Sequence, residues 1–171
     1  MRVGVAAAVL AALVGLLPPA AAAQTAAEYY WWKALERAER GDLAEAGEDL
    51  RSAARYTSDP EFAFVVTSTL LDVDTGLALA EYARSLRRAK RTHEAVVVEQ
   101  RAALFLQAKF GSARDESAVH LGFRPTELLK EYASDLRQLG RTDEAARIDS
   151  MAERYQQVQL ERVRRLQERP R

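Results

Sequence analysis

Leu128–Tyr155, LLKEYASDLRQLGRTDEAARIDSMAERY, sets the pattern for the chain. Leu129, Tyr132, Ala133 and Leu136 fall at helical steps before a polar turn, Leu139-Gly140-Arg141-Thr142, and Ala145, Ile148, Ala152 and Tyr155 fall at helical steps after it. Such spacing gathers apolar side chains on one face of each helix, so the stretch predicts two antiparallel helices joined by a tight turn. The pattern returns at Ala78–Leu106 and Ala27–Tyr56. Leu79, Glu81, Tyr82, Ala83, Leu86, Arg91, Thr92, Glu94 and Ala95 recur as Leu129, Glu131, Tyr132, Ala133, Leu136, Arg141, Thr142, Glu144 and Ala145. The offset is constant at about fifty residues, within the range of stacked helical repeats. The first copy keeps the turn and the second helix in Gly41-Asp42-Leu43-Ala44-Glu45-Ala46.

All three second helices share a spaced set: Ala46, Ala53, Tyr56; Ala95, Ala102, Phe105; Ala145, Ala152, Tyr155. Small residues on one stripe let two helices approach closely, and the aromatic closes the end of the gap. These residues resemble the tetratricopeptide repeat family, whose unit of about 34 residues is a helix–turn–helix. ERGDLAEA at Glu39–Ala46 and QLGRTDEAA at Gln138–Ala146 carry the resemblance in the turn and the start of the second helix. It implies an all-α fold of antiparallel hairpins, with repeats at about 27–57, 76–107 and 126–157, and a protein-binding role. Two departures accompany it. Lys90-Arg91 replaces the glycine turn in the second copy. The copies also lie roughly fifteen residues farther apart than the family unit, which requires inserted segments. A compact irregular helical bundle is the alternative architecture.

The first insertion opens on Asp59-Pro60, a helix-start pair with Asp as N-cap and Pro at the first position. Phe62, Val65, Val66, Thr69, Leu70 and Val73 follow at helical spacing, predicting an extra inserted helix over about Pro60–Val73, with Gly76 separating it from the next hairpin. The second insertion, Phe110–Pro125, is polar, with a short helix expected to begin at Ser112 with Asp115 as its capping partner. Tyr29, Tyr30, Trp31 and Trp32 cluster on the first helix, expected over Ala26–Arg40, and read as an end cap for the first hairpin, with an aromatic binding patch as the alternative. Four adjacent aromatics circle a helix and cannot all face inward. The last helix is expected to run to about Gln167, beyond what a repeat needs; its apolar stripe and Arg-rich end suit either a capping helix or a self-associating one.

Composition narrows the function classes. The 171 residues suit one domain, over 24–171. Zero formal net charge argues against a general nucleic-acid binder, and the absence of cysteine removes disulfides, thiol nucleophiles and a lipoprotein-type attachment site. Met1–Ala23 reads as a signal peptide, with Arg2, an apolar run over Val3–Leu17, a Pro18-Pro19 break and a small-residue cleavage site at Ala21-Ala22-Ala23. The mature chain is then expected to start at Gln24, to be secreted across the inner membrane into the periplasm, and to keep no membrane span.

Candidate chemistry is sparse. Asp72-Val73-Asp74-Thr75-Gly76 resembles both the tripeptide of aspartic proteases and the paired carboxylates of haloacid-dehalogenase-type phosphatases. Those families place the carboxylates at strand ends, whereas the flanks here have helical spacing; the plain reading is a helix end and an N-cap for the next helix. His93 and His120 lack metal-ligand spacing, so no catalytic residue, metal or cofactor is expected. What remains is surface. The family's groove-facing positions fall on Trp31 and Leu35, on Arg84, Arg87 and Arg88, and on Lys130, Ser134 and Arg137. The resemblance therefore implies a mostly basic strip, carried by Trp31, Arg84, Arg87, Arg88, Lys130 and Arg137, for a protein or peptide partner with acidic side chains or a carboxylate terminus. The plain alternative is a solvated charged face.

Overall fold

In the computed structural model, which describes residues 19–111 and 124–168, three short turns reverse the chain and set its helix pairs. Each turn closes in the same way. At the first, Gly41 N–H donates to Ala38 O (3.0 Å) and Asp42 N–H to Arg37 O (2.9 Å). Lys90 and Arg91 repeat these bonds to Arg87 and Leu86 at 3.0 and 2.9 Å, as Gly140 and Arg141 do to Arg137 and Leu136 at 2.9 Å each. The pattern satisfies carbonyls that a helix end would otherwise leave unpaired, and it needs one residue in the left-handed region. Gly41 (φ +87°) and Gly140 (φ +74°) meet that need. Lys90 adopts the same conformation (φ +61°), at a cost of roughly 1–2 kcal/mol for a residue with a Cβ. The Lys90-Arg91 departure therefore changes the residue and keeps the geometry.

The helices are α1 (Pro19–Glu39), α2 (Leu43–Tyr56), α3 (Pro60–Arg88), α4 (Thr92–Phe110), α5 (Pro125–Gln138) and α6 (Thr142–Glu168). Among the described residues there are these six helices and no strand, so the fold is all-α. Consecutive helices pair as α1–α2, α3–α4 and α5–α6; α3 also packs on α2, α5 and α6. The expected signal peptide lies mostly outside the described residues, and α1 begins at Pro19, earlier than the expected Ala26. The short helix expected at Ser112–Asp115 also lies outside them.

One expectation is overturned. The inserted helix does not end near Val73; it continues through Gly76 as one 29-residue helix, α3. Its start is as expected, with the Asp59 carboxylate accepting the Glu61 N–H at 3.0 Å and Pro60 at the first position. Glycine inside a helix costs only about 1 kcal/mol relative to alanine, too little to stop a helix packed along its length. Gly76 is there for proximity: a Cβ at this position would lie 2.7 Å from Leu106 Cδ2 and 3.3 Å from Leu43 Cδ1. Asp74 and Thr75 are accordingly mid-helix residues, not caps. By length and composition α3 would also suit a bilayer span; here it is the helix on which both halves of the core are built.

Those halves are distinct. Leu50, Val66, Val73 and Phe110 bury with Ala34, Ala46 and Ala53 between α1, α2, the first half of α3 and the end of α4. Leu79, Tyr82, Leu86, Leu129, Tyr132 and Leu136 bury with Ala95, Ala102, Ala145 and Ala152 around the second half of α3. Leu71, Phe105 and Tyr155 form a third cluster. The alanines expected at the crossings are all buried. Tyr82 and Tyr132 stack with ring centroids 4.8 Å apart, and Tyr82 Oη donates to Asp135 Oδ2 at 3.1 Å. On α1 the aromatic cluster divides as helical geometry requires. Tyr30 stacks on Tyr56 (5.7 Å) and Trp31 meets Phe62 edge-on (5.7 Å), while Tyr29 and Trp32 are 52% and 63% exposed.

Candidate functional site

The basic positions read from the sequence lie on α3 and α5, with Trp31 apart from them on α1. Arg84, Arg87, Arg88, Lys130 and Arg137 are all exposed, but most are matched internally. Arg87 makes a two-pronged pair with Glu99 across the α3–α4 hairpin (2.7 and 2.6 Å). At the corresponding position Arg137 makes a single bond, from Nη2 to Asp149 Oδ2, across α5–α6. Glu81 lies between Arg84 (2.8 Å) and Arg88 (3.4 Å). Among the described residues, the charge left without its own carboxylate therefore lies with the Arg84–Arg88 pair, which shares Glu81, and with Lys130, which forms no ion pair. Arg87 and Arg137 hold hairpins together. Trp31 is half-buried against Phe62 and does not join these residues.

Asp72 and Asp74 are not brought together. Two positions apart on a helix is a turn of about 200°, and the two carboxylates have different neighbours. Asp74 faces Arg51 at 3.4 Å; partial burial raises its pKa, against the pull of Arg51 and Arg154. Asp72 is buried and takes both guanidinium prongs of Arg162 from α6, at 3.2 and 2.7 Å, with Lys109 Nζ from α4 at 3.7 Å. A buried carboxylate needs such partners, because an unpaired charge in the interior is strongly disfavoured. The arrangement is a structural ion cluster and lacks the geometry of an acid–base pair. His93 is exposed, and His120 lies outside the described residues. Among the described residues no group of three or more potential metal ligands converges.

Beside the cluster, where α1, α3, α4 and α6 meet, is an open-sided cavity of about 520 Å³. Trp31, Leu35, Phe64, Phe110 and Leu166 supply apolar wall, and Ser68, Thr69, Asp72, Lys109 and Arg162 supply polar wall. The Lys109 side chain is only 17% exposed. Burial holds its ammonium below the usual lysine range; Asp72 pulls the other way and Arg162 adds to the depression. Burial raises the Tyr155 hydroxyl well above its ordinary value, and the Asp72 charge adds to this.

Sequence reasoning missed Lys109 and Arg162 as members of one site. A local signal exists for Lys109, a lone cation in the apolar run Leu104–Phe110. Arg162 lies 90 residues from Asp72 in the chain, and within its own stretch it resembles any arginine of a solvated tail. Compared with known proteins, the chain matches no family model, no curated protein and no solved structure.

Proposed function

We propose that the chain is a non-catalytic scaffold built on degenerate tetratricopeptide-like hairpins, exported to the periplasm, where it binds a protein or peptide. The observation that carries the reading is the pairing of α3 with α5. Leu79, Tyr82, Ala83 and Leu86 bury together with their counterparts Leu129, Tyr132, Ala133 and Leu136, and Arg91–Glu94 and Arg141–Glu144 make matching two-pronged pairs. Side-by-side first helices with equivalent contacts support a stacked-hairpin reading. Their outer positions carry the Arg84–Arg88 pair and Lys130, a modest cationic surplus suited to an acidic segment. A hydrolase using Asp72 and Asp74 has no support from their opposed placement.

The test compares partners captured from envelope extract by the wild type and by Arg84→Glu/Lys130→Glu. Neither change breaks an inter-helix ion pair, whereas reversing Arg87 or Arg137 would. Selective loss of an acidic partner in the variant is the expected result. Identical partner sets would remove the basic face from the proposal, and hydrolase activity abolished by Asp74→Asn would overturn the scaffold reading.

A further inference from the structure

We infer that the cavity among α1, α3, α4 and α6 is a binding site for a small apolar carboxylate, the carboxylate on Lys109 and Arg162 and the apolar body against Trp31, Leu35, Phe64 and Phe110. Charge is the first argument. Two cations share one carboxylate: Lys109 Nζ and Arg162 Nη1 both approach Asp72 Oδ1, at 3.7 and 3.2 Å, so the cluster keeps one positive charge in excess. The Lys109 contact is the looser, beyond ordinary hydrogen-bond length. Among the described residues Asp72 is the one carboxylate that Lys109 pairs with. An incoming anion can therefore take its ammonium without breaking the Asp72–Arg162 bonds.

Wall chemistry is the second argument. A pocket with a few convergent polar groups in an otherwise aromatic and aliphatic lining is the usual form of a small-molecule site. The cavity wall combines the cations Lys109 and Arg162 with Trp31, Leu35, Phe64, Phe110 and Leu166, and Ser68, Thr69 and Asp72 complete its polar part. An inorganic anion would leave that apolar wall unused, and a neutral hydrocarbon would leave the Lys109 ammonium with only its loose contact to Asp72. Trp31 brings an indole N–H that is buried with no acceptor among the described residues, and tryptophan fluorescence gives a direct readout of occupancy. The site is separate from the Arg84, Arg88 and Lys130 face, so it stands whether or not that face binds a partner.

The test titrates the purified protein with decanoate, decanol and decyltrimethylammonium, following tryptophan fluorescence and calorimetric heat. Saturable one-to-one decanoate binding is expected, weakened at least tenfold in Lys109→Gln and largely restored in Lys109→Arg. Decanol and the cationic amphiphile should bind at least tenfold more weakly. Thr69→Phe, which fills the cavity while leaving Lys109 in place, should abolish binding in a protein of unchanged helical content. No saturable decanoate binding, equal binding of decanol, or equal binding by Lys109→Gln or Thr69→Phe would each overturn the assignment.

Discussion

Replacing Asp72 with Asn should destabilise the protein more than replacing Arg162 with Gln, although each change removes one end of the same ion pair. The asymmetry follows from the third member. Asp72 is 7% exposed and serves two cations, Arg162 at 23% and Lys109 at 17% side-chain exposure. Asp72→Asn keeps the shape but leaves both cations facing each other without an anion. Their nitrogens share Oδ1 as a neighbour and so lie within about 7 Å of each other. At an effective dielectric of about 20, that repulsion alone is roughly 2 kcal/mol. Adding the lost charged hydrogen bonds brings the expected cost to about 3–5 kcal/mol, the range for a buried pair broken from one side. Arg162→Gln, by contrast, leaves Asp72 with Lys109, which has only to close from 3.7 Å. Its cost should be about 1.5–3 kcal/mol, the value of hydrogen bonds to a charged group.

Urea denaturation of the two single variants and the double variant measures all three quantities. The double variant should be more stable than the sum of the singles implies, with a coupling of about 1–3 kcal/mol. Equal costs for the two singles, together with additivity in the double, would refute the view that this cluster fastens α6 to α3.

Two further outcomes follow from the packing and the titrating groups. Gly76→Leu should cost about 1–3 kcal/mol by overpacking, because even a Cβ would meet Leu106 and Leu43; in a Leu106→Ala background, Gly76→Ala should instead stabilise by about 1 kcal/mol through helix propensity, as thermal melts of the four chains would show. Burial raises the Tyr155 hydroxyl above its ordinary value near 10, so its contribution is complete below about pH 10 and is lost as pH rises beyond it. Lys109, held low, acts with the opposite sign, so the readout is the difference between wild type and Tyr155→Phe: melting temperatures above about pH 10 should fall less steeply in the variant, and equal slopes would contradict the assignment.

What the sequence revealed of this fold was its local content. Helical spacing, the Asp59-Pro60 start and the three turns are properties of a few adjacent residues, and each lies where those residues place it. Gly76 was misread because a helix-interior glycine looks the same whether it breaks the helix or admits Leu106 against the backbone. Only the neighbour distinguishes the two, and Leu106 lies on another helix. The basic strip was legible as composition, but its compensation was not. Glu99 and Asp149 neutralise Arg87 and Arg137 only because the hairpins bring them across. The Asp72–Lys109–Arg162 cluster unites three helices and has no counterpart in any local pattern.

The excess of residues between the first two copies now has a physical meaning. It does not form a separate layer; it lengthens one helix. About fifteen extra residues at 1.5 Å each extend α3 by roughly 22 Å, carrying its second half, with Leu79, Tyr82 and Leu86, away from the core that surrounds Val66 and Val73. The first half of this long helix carries Glu61, Phe64 and Asp72, the residues that α6 reaches. Beyond Tyr155, α6 lays two of its arginines on that first half. Arg162 bonds Asp72, and Arg165 bonds Glu61 at 2.7 Å while covering the Phe64 ring at 3.9 Å. The overhang at one end thus covers the insertion near the other. The Arg-rich tail and the inserted apolar helix, which look unrelated along the chain, solve one packing problem together. The cavity lies where that cover meets α1 and α4 and leaves the gap unfilled, with Lys109 in its wall.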